Sequence, residues 1–178
     1  PNPLKPSQAM VLAAGLGKRM APLTDNIPKP LIKINGKMML AQTLDCLTEA
    51  AVTTAIINKH HFAGQIDQFV IDRKDWRPKI TLSDETKGLL DSGGAVKKVL
   101  PLMGNEPFYI LNSDMIWKDK GQGALNRLAT EWRDDMDVLL LLVKRSEANG
   151  HDGAGDFNMD NDGRLTFRNE NTFSDYFY

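Results

Sequence analysis

Short apolar runs alternate along this chain with stretches in which apolar residues recur every three or four positions. The first run, AMVLAA (9–14), is continuous and ends in glycines, as expected of a strand buried on both faces. A loop rich in glycine, proline and basic residues follows, LGKRMAPLTDNIPKP. A short LIKI strand (31–34) and an Asn35-Gly36 turn then lead into a helix predicted over about 37–50, with Leu40, Leu44, Leu47 and Ala51 on its apolar face. Cys46 lies beside that face and reads as a small core or boundary residue. TTAIIN (53–58) predicts a β-branched strand, and Phe62, Ile66, Phe69 and Val70 share one face of the helix after it. KITLSD (79–84) is a strand, Gly93 to Leu100 a short helix carrying Val96, Val99 and Leu100, and PFYILN (107–112) a buried strand. Ala124, Leu125, Leu128 and Trp132 mark another helix, and DVLLLLVK (137–144) another strand. FNMDNDGRLTF reads as a hairpin turning at Asn161-Asp162-Gly163, and NTFSDYFY (171–178) as a final strand.

Strands alternating with helices, with the strands continuously apolar, predict a three-layer α/β architecture around a mostly parallel central sheet, with the hairpin making it mixed. In such folds ligands bind outside the carboxyl ends of the strands. The residues just after each strand are therefore where chemistry is expected.

Composition narrows the function. Of 178 residues, 25% are charged and 42% hydrophobic, the balance of a globular chain rather than a disordered one. With 22 basic and 23 acidic residues the net charge is −1, so no cationic excess exists to hold a nucleic acid. The single cysteine, Cys46, cannot form an intramolecular disulfide, which points to a reducing, cytoplasmic setting. The longest apolar run, Val138 to Val143, is far too short to span a membrane. The leading PNPLKPSQ has one lysine, three prolines and no apolar stretch, so it is read as a trimmed leader and not as a signal peptide.

The densest chemistry follows the first strand. Gly15 and Gly17 let main-chain N–H groups approach an anion closely, and Lys18 and Arg19 come next. Lys29 stands between Pro28 and Pro30, which favour a stiff, extended backbone around it. Cations converging on a glycine-rich turn suit a polyphosphate and the charge that develops on it during phosphoryl transfer. The loop matches no GxxxxGK[ST] sequence, and Met20 stands where a dinucleotide fingerprint needs its third glycine, which disfavours an NAD-linked dehydrogenase. Asp114 follows the strand PFYILN and has the profile of a Mg²⁺ ligand, because Mg²⁺ is often held by one or two carboxylates with substrate phosphates and water. Asn112 lies two residues earlier on the same side of the strand. His60 and His61 are adjacent and would point to opposite faces, and His151 has no partner at ligand spacing, so neither forms a metal site. The acidic stretch Glu131 to Asp137, with Arg133 inside it, reads as a solvated helix end, and Met38, Met39 and Met103 as packing.

The string GLGKRMAPLT…PKPL resembles the signature of the sugar-1-phosphate nucleotidyltransferases, approximately GxGxRxxPLT followed by PKPL. The resemblance continues through TTAIIN, ETKGLLDSGGAV, Asn112-Ser113-Asp114 and HDGAGDF, nearly the whole chain from Ala9 onward. Within that family the chain is most similar to the small bacterial uridylyltransferases that act on N-acetylmuramate 1-phosphate, with the mannose-1-phosphate guanylyltransferases as close relatives. The resemblance implies a Rossmann-like nucleotidyltransferase fold and a reaction of an NTP with a sugar 1-phosphate, giving an NDP-sugar and pyrophosphate with Mg²⁺ as cofactor. It implies that Gly15, Gly17, Lys18 and Arg19 wrap the nucleotide phosphates, and that Arg19 and Lys29 offset charge as the sugar phosphate oxygen attacks the α-phosphorus. Glu85 and the Ser92-Gly93-Gly94 turn fall where the family recognises the base. Asp114 falls at a metal position, and Asn112, Asp156 and Glu170 at sugar-contacting ones.

One departure stands out. The family carries a second metal-binding aspartate in a C-terminal strand beyond the sugar-contacting hairpin, whereas this chain stops at Tyr178, within NTFSDYFY. The expectation is a single nucleotidyltransferase domain over 1–178 whose C-terminal segment is missing, since Phe173, Tyr176 and Phe177 would otherwise be left without cover. The competing expectation is a catalytically silent nucleotide-binding module.

Overall fold

The computed structural model describes residues 5–73, 77–117, 121–148, 153–170 and 172–177. They divide into two compact units, Pro1–Thr130 and Glu131–Tyr178.

In the first unit four parallel strands form the sheet: β1 (Gln8–Leu12), β4 (Thr54–Lys59), β5 (Lys79–Asp84) and β6 (Tyr109–Asn112), in the order β5-β4-β1-β6. Between β1 and β4 lie the small strands β2 (Lys33–Ile34) and β3 (Lys37–Met38) and the helix α1 (Met39–Glu49). Helix α2 (Ala63–Asp72) joins β4 to β5, α3 (Ser92–Met103) joins β5 to β6, and α4 (Ala124–Glu131) follows β6. The chain steps outward from β1 through β4 to β5, then crosses back over to β6. Parallel crossovers are right-handed, so reversing direction transfers the connecting helix to the opposite face.

The period-2 alternation of the strands sorts the core accordingly. Ala9, Val11, Ala55, Ile57, Tyr109 and Leu111 pack with Leu40, Leu44 and Leu47 of α1, Ile66 and Phe69 of α2, and Leu125 and Ala129 of α4. Met10 and Ile56 face the other way, onto Ala95, Val99 and Met103 of α3. Leu44, Leu47 and Ile57 are fully buried, and each contributes about 2 kcal/mol by leaving water. Three layers around a parallel sheet are thus observed as expected, and Cys46 packs half-buried against the larger core.

Several local expectations are corrected. LIKI is no continuous strand: Lys29–Leu31 forms a short 3-10 turn and the strand is Lys33–Ile34 alone. The reason is the Asn35-Gly36 turn, where both residues have positive φ (52° and 81°) and reverse the chain into a two-residue hairpin with Lys37–Met38. The helix therefore begins at Met39, and Ala51 (φ 60°) lies beyond its end and is exposed. Helix α3 is longer than predicted, because Asp91 Oδ1 accepts from Gly94 N–H at 2.6 Å and caps its start, and Pro101 sits in its last turn. Trp132 falls just outside α4.

In the second unit β7 (Val143–Lys144), β8 (Phe157–Met159), β9 (Leu165–Phe167) and β10 (Tyr176–Phe177) form an antiparallel sheet in the order β7-β10-β8-β9. The β8–β9 hairpin turns where predicted: Asp160 Oδ1 accepts from Asp162 N–H and Arg164 N–H, with Gly163 at φ 80°. DVLLLLVK is corrected to a strand of two residues. Only Val143 and Lys144 find ladder partners among the described residues, opposite Phe177 and Tyr176, and Val138 is 71% exposed. An apolar run becomes a strand when a neighbour accepts its hydrogen bonds, whatever its composition.

Candidate active site

The reversal of strand order between β1 and β6 opens a crevice at their carboxyl ends. Both sides of it are lined by residues of the glycine-rich string and the Asn112-Ser113-Asp114 tripeptide. After β1, Gly15 is exposed and no atom stands within 4 Å of where a Cβ would be. Gly17 is the opposite case. Its φ is +64°, and a Cβ there would lie 2.8 Å from Thr24 Cγ2 and 3.2 Å from Lys29 Cβ. Thr24, 5% exposed, donates from Oγ1 to the Gly17 carbonyl at 3.0 Å and so closes the loop on itself. Lys18–Met20 then make a 3-10 turn that leaves Lys18 and Arg19 exposed.

Lys29 opens the second 3-10 turn, with Pro28 and Pro30 buried on either side of it. The segment is stiff, as the prolines suggested, but turned where an extended course was expected. Leu31 N–H donates to the Pro28 carbonyl at 2.9 Å and Ile32 N–H to the Lys29 carbonyl at 3.1 Å. From there the Lys29 ammonium reaches across the crevice and pairs with Asp114 Oδ2, 85 positions away in the sequence. Both side chains are partly exposed. Asp114 is aimed by Ser113, 2% exposed, whose N–H and Oγ both bind the Leu12 carbonyl, at 3.1 and 2.7 Å. Asn112 sits opposite Leu12 in the ladder at the end of β6. A cation and a carboxylate thus meet beside a glycine-rich turn, at the switch point of a parallel sheet.

At the ends of β4 and β5 lies a buried polar cluster. Glu85 is 2% exposed, with Oε1 accepting from Asn58 Nδ2 at 2.9 Å and Oε2 from Leu90 N–H at 3.1 Å. Asn58, 3% exposed, accepts from Ala13 N–H at 2.6 Å. His60 Nδ1 lies 2.7 Å from the Glu85 carbonyl, and His61 stacks beside Phe62 at 4.0 Å, so the two histidines part as expected. Thr86 hydroxyl and N–H bonds hold the Asp84 carboxyl below its ordinary pKa, assisted by Lys59 at 3.7 Å. Gly93 lies exposed in the first turn of α3.

In the second unit Asp156 and Glu170 are exposed on the segments flanking the β8–β9 hairpin. Arg168 holds these segments together, donating to the carbonyls of Gly155, Asn169, Glu170 and Thr172 at 2.9–3.0 Å. Gly155 (φ +84°) is pressed against Ser174, where a Cβ would stand 2.1 Å from Oγ. An open pocket of about 400 Å³ is lined by Gly155, Asp156, Phe157, Phe167 and Arg168. His151 lies outside the described residues. Among the described residues no three of His, Cys, Asp or Glu gather into a ready metal cluster, and no helix is long and apolar enough to cross a membrane.

Sequence reasoning missed Asn58, Thr24 and Ser113. Asn58 left a trace, as the polar residue directly after the apolar run Ala55-Ile56-Ile57. The two hydroxyls stood inside recognised motifs, but nothing in their spacing told which carbonyl each would bind.

A doubly wound parallel sheet with a glycine-rich, cation-bearing loop and an acid at its switch point defines a nucleotide-phosphate-handling α/β protein. The chain belongs to the nucleotidyl transferase family, whose pattern matches residues 8–164. It is 39% identical over 166 residues to the N-acetylmuramate alpha-1-phosphate uridylyltransferase of Caulobacter vibrioides, covering 92% of this chain and 69% of that protein. To the enzyme of the same name from Neisseria meningitidis it is 34% identical over 152 residues, covering 85% and 64%. A Drosophila melanogaster mannose-1-phosphate guanylyltransferase catalytic subunit beta is 32% identical over 112 residues, 62% of this chain and 30% of that one. The fold matches HddC from Yersinia pseudotuberculosis complexed with GMP-PN at a TM-score of 0.71 and 20% identity, over 96% of this chain and 73% of that one. It matches a UDP-glucose pyrophosphorylase complexed with UDP-glucose at 0.59 and 19%, over 70% and 52%. The chain thus spans about two thirds of the length of the two uridylyltransferases. Enzymes of this family generally use a divalent metal.

Proposed function

We propose that this chain carries the catalytic face of a uridylyltransferase that condenses UTP with N-acetylmuramate 1-phosphate, releasing pyrophosphate. The observation that carries the reading is the Lys29–Asp114 pair, set across the β1–β6 crevice beside the Gly15–Arg19 loop. The substrate pair rests on the two relatives that bear that name, both similar over most of this chain.

In this reading the main-chain N–H groups of the Gly15–Gly17 turn and the side chains of Lys18 and Arg19 take the triphosphate. The phosphate oxygen of the sugar attacks the α-phosphorus in line, and the bond to the leaving pyrophosphate breaks. Negative charge grows on the leaving oxygens, where Arg19 and Lys29 offset it, and fixed cations do so without reorganising at the moment of reaction. Lys29 is ready for this because its ammonium is already oriented by Asp114. Gly93 lines the base side, and Asn112, Asp156 and Glu170 take the sugar phosphate and the sugar. Asp114 fits a divalent cation, which it would hold through the carboxylate oxygen that Lys29 does not engage. When bound, Mg²⁺ supplies further neutralisation of the polyphosphate.

The test is pyrophosphate release by the full-length protein with Mg²⁺ across four NTPs and several sugar 1-phosphates. UTP with N-acetylmuramate 1-phosphate should give release, and Asp114→Asn should lower it by about 100-fold or more, the scale of losing one preorganised electrostatic group. Release with GTP and mannose 1-phosphate would move the assignment to the guanylyltransferases. NTP binding without release from any pair would leave a silent nucleotide-binding module.

A further inference from the structure

Two loops at the carboxyl edge of the parallel sheet are tied together by a pair of buried polar side chains, Asn58 and Glu85. The chain of hydrogen bonds runs from Ala13 N–H to Asn58 Oδ1 (2.6 Å), from Asn58 Nδ2 to Glu85 Oε1 (2.9 Å), and from Leu90 N–H to Glu85 Oε2 (3.1 Å). Its polarity is dictated at both ends. A main-chain N–H can only donate, so Ala13 demands oxygen from Asn58, and Leu90 demands oxygen from Glu85. The amide and the carboxylate between them are the one arrangement of these two residues in which every group is paired.

The main chain of Glu85 is pinned as well. Its N–H donates to the Lys59 carbonyl at 2.8 Å and its carbonyl accepts from Gly88 N–H at 3.0 Å. Ala13 is where β1 passes into the glycine-rich loop, and Leu90 stands just before the Asp91 cap of α3 and Gly93. The two termini of this relay therefore belong to the loop that takes the phosphates and to the segment that faces the base.

We propose that Asn58 is a positioning residue which, through Glu85, sets the spacing between the phosphate loop and the base-facing segment, and so governs nucleotide affinity. This rests on the nucleotide-binding reading above. Glu85 is enclosed and both its carboxylate oxygens are engaged by the protein. Its effect on a nucleotide thus passes through the main chain at Leu90 to Gly93, with no direct contact to the base.

Reversing the polarity of the pair tests this. Asn58→Asp alone sets two carboxylates face to face in a buried site. Glu85→Gln alone forces an amide N–H toward either Leu90 N–H or Asn58 Nδ2. In the double variant the new carboxylate accepts from Ala13 N–H and from the new amide, whose oxygen accepts from Leu90 N–H. All three hydrogen bonds re-form, with the total charge unchanged.

Each single variant should weaken UTP binding, read by calorimetry, by about tenfold or more, the scale of one buried polar group left unpaired. The double variant should return to within about threefold of the wild type, with the KM for the sugar phosphate little changed throughout. Thermal melting of each variant reports whether it folds. A double variant that folds yet binds UTP as weakly as the worse single overturns the proposal, because Glu85 would then act through its own carboxylate. Single variants that bind like the wild type overturn it too, as does a double variant that fails to fold. Absence of UTP binding by the wild type would count against the functional reading instead, before any variant is compared.

Discussion

The strand-end loops of the parallel sheet and the segments flanking the β8–β9 hairpin both carry residues assigned to substrate, yet they are held in different ways. In the first region the ties are short polar side chains sunk among apolar ones: Thr24, Asn58, Glu85 and Ser113 are all 5% exposed or less. Each binds a main-chain group of a neighbouring loop or strand, or a partner that does, so the loops inherit the rigidity of the sheet. In the second region an arginine carries much of the side-chain holding, beside main-chain bonds such as Ser174 N–H to the Ala154 carbonyl and Asp156 N–H to the Tyr176 carbonyl, both at 2.8 Å. The guanidinium of Arg168 spans four carbonyls of the segments around it, while Asp156 and Glu170 stay exposed. A buried polar tie is costly to break, because its partner is left without water. A guanidinium fork at the surface is more forgiving, since water replaces a lost contact. The strand-end loops are therefore built to be fixed, whereas the segments flanking the hairpin carry their acidic side chains exposed.

This contrast can be tested at its tightest points. The largest effect is expected at Gly155, the place in the hairpin region where backbone meets backbone. Gly155→Ala adds a left-handed alanine whose Cβ would meet Ser174 Oγ at 2.1 Å and the Ser174 carbonyl oxygen at 2.7 Å. It should destabilise the chain by about 3 kcal/mol or more in urea denaturation. Tolerance of this alanine would mean that the second region yields more easily than its close contacts indicate. Next comes Gly17→Ala, expected to cost about 2 kcal/mol from its left-handed φ and the contact with Thr24, and to raise the KM for the NTP. Gly15→Ala is its control: with open space around the new methyl, stability should change by less than about 0.5 kcal/mol. Equal effects at the two glycines would remove the case for a preformed phosphate loop.

A smaller effect than at Gly155 or Gly17 is expected at Tyr109, whose buried hydroxyl donates to the Leu125 carbonyl at 2.9 Å. Tyr109→Phe should cost about 1 kcal/mol at neutral pH. Burial raises the pKa of this phenol above its ordinary value near 10. The unfolded chain then loses the proton first, so stability from this group is complete below about pH 10 and declines as pH rises toward the folded value. The phenylalanine variant should lose that part of the alkaline decline, which denaturation at a series of pH values would show.

Much of this was legible in the residues themselves. KITLSD became β5 with the predicted ends, the turns at Asn35-Gly36 and Asn161-Asp162-Gly163 fell in place, and the glycine-rich string stands at the end of a strand, as its pattern predicts. These readings rest on local physics: period-2 and period-3.6 patterns, and the backbone freedom of glycine and asparagine. DVLLLLVK shows where local physics stops. It is more apolar than TTAIIN, but TTAIIN lies between β1 and β5 whereas Val138 to Leu142 have no ladder neighbour among the described residues. Strand formation is a property of pairs, and composition describes one member only.

The same division runs through the site. The sequence by itself determined which residues could bind phosphate or metal, because charge, glycine and strand-end position are local properties. Tertiary structure alone decided that Lys29 would meet Asp114 across 85 positions, that Glu85 would be buried with both oxygens engaged, and that Asn58 would join two loops. Those are contacts between strands distant in the chain, and their geometry exists only once the sheet has set the strands side by side.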